Sequence, residues 1–270
     1  MNKIGLKTDV PRVISVWKEN GSLEAKADGQ SLTETENQLL EVNSERLGQY
    51  LDQKNGKLRI YPLPSNQEAI WFLLQVDPQN ISYNVAVAAR LNSGIDTEIL
   101  RRSLDVLVNR HVQLRSLFPG LSSKEHSAYI VELENMAPWL EEVDAGDRTG
   151  HDIDELIREK YSIPFSLEEG PLMKTYLFRS KDHDYLLFNI HHIICDLWSL
   201  RIMLNELFKI YDSLQKGADH ELPGNEIDYA AYVIDQYKIL ESDDAKDQRN
   251  KWIDNLRGYE NPLILPYDYE

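Results

Sequence analysis

The sequence predicts an α/β fold, a two-layer sandwich in which helices cover one face of a mixed sheet. Three observations carry that prediction. Tyr185, Leu186, Leu187, Phe188 and Ile190 form a short, nearly continuous apolar run, as expected of a strand covered on both faces. From Leu197 onward the apolar residues Leu200, Met203, Leu207, Tyr211 and Leu214 recur at three- and four-residue steps, the spacing of one helix face. Before these, strand-like and helix-like segments are interspersed along the chain.

Taken in order, Gly21 to Gln30 is polar and Gly-containing and reads as a loop. Ser31-Leu-Thr-Glu-Thr-Glu reads as a helix start with Ser31 as the cap and acids in the first turn. Leu39, Leu40, Val42, Leu47, Tyr50 and Leu51 follow at loosely helical spacing, and Asn55-Gly56 ends the segment. Gln67 to Leu74 predicts a short helix, and Tyr83 to Leu91 a strand. Asp96 caps a helix that runs to about Arg110, with Leu100, Leu104, Leu107 and Val108 inward. Leu114 to Phe118 predicts a strand that turns at Pro119-Gly120 toward a hairpin partner at Ala128 to Leu133. Asp144 to Gly150 reads as a loop and Ile153 to Tyr161 as a helix. Leu172 to Arg179 and Tyr185 to Ile190 form a predicted hairpin. The helix after Trp198 ends at Lys216-Gly217. Ile227 to Leu240 and Ala245 to Leu256 read as two more helices, and Pro262 and Pro266 mark an extended exit.

Composition narrows the function. A chain of 270 residues can bury a sizeable core. No apolar run reaches membrane-spanning length, and the opening Met1-Asn2-Lys3-Ile4-Gly5 has no apolar signal core, so a cytoplasmic protein is expected. Cys195 is the single cysteine, which excludes an internal disulfide and reads as a small buried filler. The formal charge of −16 argues against nucleic acid, which selects a basic face.

The chemistry concentrates where the apolar strand gives way to the helix. His191 and His192 end the strand, and Asp196, Trp198 and Ser199 follow. Loops at strand ends on a rigid scaffold commonly carry function. Neighbours on a strand point to opposite faces, so one histidine is free for a cavity while the other packs. A neutral imidazole can accept a proton from an attacking nucleophile near neutral pH. Asp196 is a charge within an apolar run and must be paired or solvated. It reads as a scaffold group neutralised by an arginine. The adjacent histidines diverge and no further Cys/His cluster lies nearby, so no metal is expected.

The run His191-His192-Ile193-Ile194-Cys195-Asp196-Leu197-Trp198-Ser199 resembles the His-His-x-x-x-Asp-Gly-Trp-Ser signature of condensation domains in nonribosomal peptide synthetases. Four further stretches are similar to that family's motifs, in its order. They are Gln67 to Leu73 with Tyr83-Asn84, Arg110-His111-Val112-Gln113-Leu114-Arg115-Ser116-Leu117-Phe118, Pro164 to Leu172, and Asp228-Tyr229-Ala230. The resemblance covers about Tyr61 to Glu270. It implies a chloramphenicol-acetyltransferase-like lobe over residues 59–270. Residues 1–58 lie outside the resemblance, and their amphipathic helix leaves three readings open: docking to an upstream protein, packing on its own domain, or a linker remnant. The resemblance implies His192 as the catalytic histidine, with His191, Asp196 and Arg115 structural at the site. Leu197, Trp198 and Ser199 would line the substrate tunnel. The implied reaction joins a donor thioester to an acceptor amine. Both would ride on phosphopantetheine arms of peptidyl or acyl carrier proteins, with no cofactor bound directly. A C-terminal lobe and neighbouring synthetase modules are the other implied partners, and without that lobe little activity is expected. Arg101, Arg102, Arg110 and Arg115 are the densest basic cluster, read either as a contact for an acidic carrier or equally as a solvated helix face plus one buried partner for Asp196.

The sequence departs from the pattern in places. Leu197 stands at the usual glycine, Val112 at the common glutamate, Ser166 at a common aspartate and Glu226 at a common tyrosine. These leave the subtype open. The heterocyclising subtype is disfavoured, since it would carry aspartates where the two histidines stand. The alternative is a non-catalytic module that docks carrier proteins, and a cavity sealed against His192 would favour it.

Overall fold

A computed structural model describes residues 11–54, 56–92, 94–121, 128–218, 222–224 and 228–259. The expected exit at Pro262 and Pro266 and the helix start at Ile227 lie outside them.

The described residues open with a hairpin, β1 (Ile14–Glu19) and β2 (Ser22–Ala27), and β2 falls within the Gly21–Gln30 stretch expected to be a loop. The reason is local. Asn20 and Gly21 adopt φ of 50° and 82°, the two positive values that a tight two-residue hairpin turn needs. Helix α1 (Glu34–Val42) is capped by Thr33, not Ser31. Thr33 accepts from the Glu36 amide, and the Glu36 carboxylate accepts from the Thr33 amide at 2.7 Å, which satisfies two otherwise orphaned donors. Helix α2 (Ser44–Lys54) follows directly.

Next come β3 (Leu58–Pro62), α3 (Ser65–Val76), β4 (Asn84–Asn92) and α4 (Thr97–Arg110). Asp96 caps α4 by accepting from the Ile99 amide. The strand expected at Leu114–Phe118 is mostly a 3-10 turn, Val112–Arg115, with only β5 (Ser116–Leu117) extended. Then follow β6 (Tyr129–Leu133), β7 (Trp139–Gly146), α5 (His151–Tyr161), β8 (Met173–Ser180) and β9 (His183–His191). Strand β7 overlaps the expected Asp144–Gly150 loop. Helices α6 (Leu197–Gln215), α7 (Tyr229–Glu241) and α8 (Asp243–Leu256) are the last elements among the described residues.

Two sheets result. One is antiparallel with order β2-β1-β3-β6-β5; the other runs β4-β9-β8-β7, with only β7 and β8 parallel. Strand β9 is central in the second sheet, and its side chains alternate. Leu186, Phe188 and Ile190 enter the main core, which also holds Leu104 and Leu107 of α4 and Leu200 and Leu207 of α6. Leu187 joins Tyr176, Phe178 and Ile153 of α5 in a smaller cluster. Burial on both sides explains the unbroken apolar run. At the start of β9, buried Asp184 accepts from the Gly94 and Ile95 amides (3.2 and 3.1 Å) and from Arg179 (2.7 Å). That anchor fixes the approach to α4.

The segment before residue 58 contributes to the same core. Strand β1 pairs with β3, and Ile14, Val16, Leu39, Leu47 and Leu51 are buried among residues of the later elements. The described part of this segment, residues 11–54, thus packs on the domain that follows it. Leu47 is fully buried, and removing its side chain leaves a cavity. Leu47→Ala is expected to cost about 2–5 kcal/mol in chemical denaturation, as for any core leucine. A change below about 0.5 kcal/mol would instead mark the segment as detachable.

Candidate active site

The site begins where β9 runs out. The His191 amide donates to Leu172 O (2.9 Å) and the His192 amide to Tyr83 O (2.8 Å), so the end of β9 is held from both sides. The chain then turns tightly: the Ile194 amide donates to His191 O and the Cys195 amide to His192 O. Helix α6 starts directly after Asp196.

The two histidines separate as strand alternation requires. His191 is 1 % exposed, and His192 is exposed. His191 Nδ1 accepts from the Ile193 amide at 3.2 Å. An acceptor nitrogen carries no proton, so the neutral ring holds its hydrogen on Nε2. That atom is buried without a partner among the described residues. The Phe165 ring meets the imidazole edge-on at 5.9 Å, and Tyr83 lies at 6.4 Å. Burial, with repulsion from His192, pushes the His191 pKa down to about 4. His191 is therefore a neutral packing group at physiological pH.

His192 has a different setting. Its ring makes no hydrogen bond among the described residues, and the helix that follows opens with exposed Leu197 and Trp198, 79 % and 67 % exposed. The Arg201 guanidinium lies 5.7 Å from the Trp198 ring centre. A neutral imidazole so placed can accept a proton or a hydrogen bond from an incoming amine. Leu197, at the glycine position, is exposed to solvent and does not plug the interior.

The expected Asp196–arginine pair is absent among the described residues. The Asp196 carboxylate accepts from the Ser199 amide (2.7 Å) and the Ser199 hydroxyl (2.6 Å). It is the N-cap of α6, and those bonds hold its pKa below the usual carboxylate range. Asp196 is exposed, so it needs no buried counter-charge. Ser199 is accordingly engaged with Asp196. Arg115 sits elsewhere. Its guanidinium donates to the carbonyls of Val108 (3.1 Å), Asn109 (3.3 Å), Leu133 and Glu134 (2.9 Å), stapling the end of α4 to the end of β6. Nor do the four arginines form one patch. Arg110 bonds Glu206 at 3.0 Å, which also meets His111 at 2.6 Å; of the four, only Arg101 and Arg102 are exposed. Cys195 is buried, and burial raises its thiol to about 12, so it is no nucleophile. Among the described residues no cluster of three or more His, Cys, Asp or Glu could hold a metal ion.

The motifs that flank the histidines in sequence supply contacts that spacing alone does not reveal. Gln67, from the first motif, is 5 % exposed and donates to Ile193 O at 2.6 Å and to Gln113 Oε1 of the second at 3.4 Å. Tyr83 and Phe165 enclose His191. Asp228, from the last motif, caps α7 and pairs with Arg59, which also holds buried Glu132 at 3.1 Å.

Residues 57–270 match the sequence profile described as the condensation domain. This chain belongs to the condensation-domain family. It is 33 % identical over 216 residues to a component of the linear gramicidin synthase of Brevibacillus parabrevis, covering 78 % of this chain and 4 % of that one. It is 30 % identical over 210 residues to surfactin synthase subunit 1 of Bacillus subtilis strain 168, covering 77 % and 6 %. The starter condensation domain of rhizomide synthetase superposes with a TM-score of 0.64 at 18 % identity, over 75 % of this chain and 49 % of that one. The X-domain from teicoplanin biosynthesis gives 0.66 at 24 %, over 77 % and 46 %. The fold is thus the chloramphenicol-acetyltransferase-like one of condensation domains, and the chain spans about half the length of these solved domains.

Two outcomes follow from the geometry. Asp196→Ala is expected to cost about 1 kcal/mol in denaturation, whereas Asp196→Asn, which still caps, should cost a few tenths. Equal losses would point to a charge partner. The unfolded state protonates a free histidine near 6.5, above the folded value of about 4 for His191. Between these values the unfolded chain binds more protons, so stability falls as pH falls through that window, by on the order of 3 kcal/mol in all. His191→Gln should remove that share of the pH dependence in denaturation curves measured from pH 7 to pH 4.

Proposed function

We propose that this chain is the histidine-bearing N-terminal lobe of a nonribosomal peptide synthetase condensation domain that forms an amide between two carrier-bound substrates. The observation that carries this reading is the exposed imidazole of His192, with no hydrogen bond among the described residues, at the end of a buried strand and followed by exposed Leu197 and Trp198. Strand alternation makes one position open and the other sealed, and a titratable imidazole at the open position supports the catalytic reading.

In the proposed reaction the acceptor amine attacks the carbonyl of the donor thioester. The C–N bond forms, the C–S bond breaks and the thiol leaves on the donor phosphopantetheine arm. His192 accepts a hydrogen bond or the proton from the amine, and the proton passes to the departing sulfur. Such assistance is worth roughly 10²- to 10⁴-fold in rate. Positioning of the two substrates supplies much of the remainder. The chain spans about half of its solved neighbours, so a second lobe is proposed to complete the tunnel, and the single lobe is expected to be nearly inactive. Carrier proteins are the proposed partners. Arg101 and Arg102, exposed on α4, are the proposed contact for their acidic surface.

The test joins this chain to the second lobe of a condensation domain and supplies loaded donor and acceptor carriers. His192→Ala should lower the rate of amide formation at least about 10²-fold. The denaturation midpoint of the lobe should stay unchanged, since the side chain is exposed and makes no hydrogen bond among the described residues. Retention of the rate would remove His192 from the chemistry.

A further inference from the structure

We propose that Gln67 is a positioning residue for His192: its buried side-chain amide fixes the turn that displays that imidazole. The inference rests on the reading of His192 as the working group. Gln67 lies in the first turn of α3, far from β9 in sequence, yet its Nε2 donates to Ile193 O at 2.6 Å. Its Oε1 is buried with no partner among the described residues. Burying half an amide unsatisfied is costly. Packing alone would be served better by a methionine or leucine, so the polar group is kept for the bond it makes.

The placement of that bond is specific. The His192 amide is held by Tyr83 O, and the Ile193 amide by His191 Nδ1. Gln67 secures the other polar group of the Ile193 residue, its carbonyl. The backbone on both sides of His192 is then clamped to Tyr83, to His191 and to α3, while its side chain is left free. Without Gln67 the turn loses this buried link to α3. The imidazole would then sample orientations that do not meet a substrate.

Gln67→Met keeps length and volume and removes the donor. In backbone amide exchange of the whole chain, the Ile194 and Cys195 amides should exchange about tenfold faster. The Leu186 and Phe188 amides inside β9 should not change. The ring resonance of His192 should shift or broaden while those of His151 and His183 stay. Unchanged turn amides, or one common factor for turn and strand, would overturn the proposal. Should Gln67→Met fail to fold, the wild-type chain decides. Its Gln67 side-chain amide protons must then be protected from exchange, and exchange as fast as an exposed glutamine would refute the bond. None of these readouts involves turnover, so they can fail while the His192→Ala assay succeeds, or the reverse.

Discussion

The architecture of the site depends on one constraint, the abrupt change of environment between two adjacent residues at the end of β9. A strand sends neighbours to opposite sides, and here one side is sealed and the other open. His191 commits its Nδ1 to the next turn of backbone and sits between Phe165 and Tyr83. That commitment fixes its tautomer, and burial keeps it uncharged. A charged His191 would place an unpaired positive charge in the core. Its neutrality leaves His192 with an uncharged neighbour.

A few residues of the flanking stretches serve this junction from a distance. Leu172 and Tyr83 take the last strand amides, and Phe165 closes over His191. Asp196 ends the turn by starting α6, a helix whose buried face joins that of α4 in the main core. The aspartate thus acts through helix capping and not through a buried ion pair. Its two bonds to Ser199 are the cheaper solution. An exposed cap avoids the desolvation that a sealed carboxylate–guanidinium pair would suffer. Arg115, released from that task, ties α4 to β6 through four carbonyls.

Much of this was legible in the chain itself. The apolar run of β9, the helical spacing of α6 and the cap at Asp96 depend on local pattern, and each appears in the structure. The pair of histidines announced a site because titratable groups are rare at the end of a buried strand. What escaped reading was polar or non-local. Strands β2 and β7 expose much of their length, so they carry weak apolar signals; only the Asn20-Gly21 turn marked the first. The partner of Asp196 could not be read from a charge count, because a helix N-terminus competes for a carboxylate as strongly as an arginine does. The bond from Gln67 to Ile193 spans a sequence separation that no periodicity reports.

The central claim is that His192 is open and His191 is closed. Acylation of the folded chain by diethyl pyrocarbonate at neutral pH, mapped by mass spectrometry, tests it most directly. The account predicts rapid modification of His192 and none of His191 until the chain unfolds. Modification of His191 at a comparable rate, or protection of His192, would contradict it.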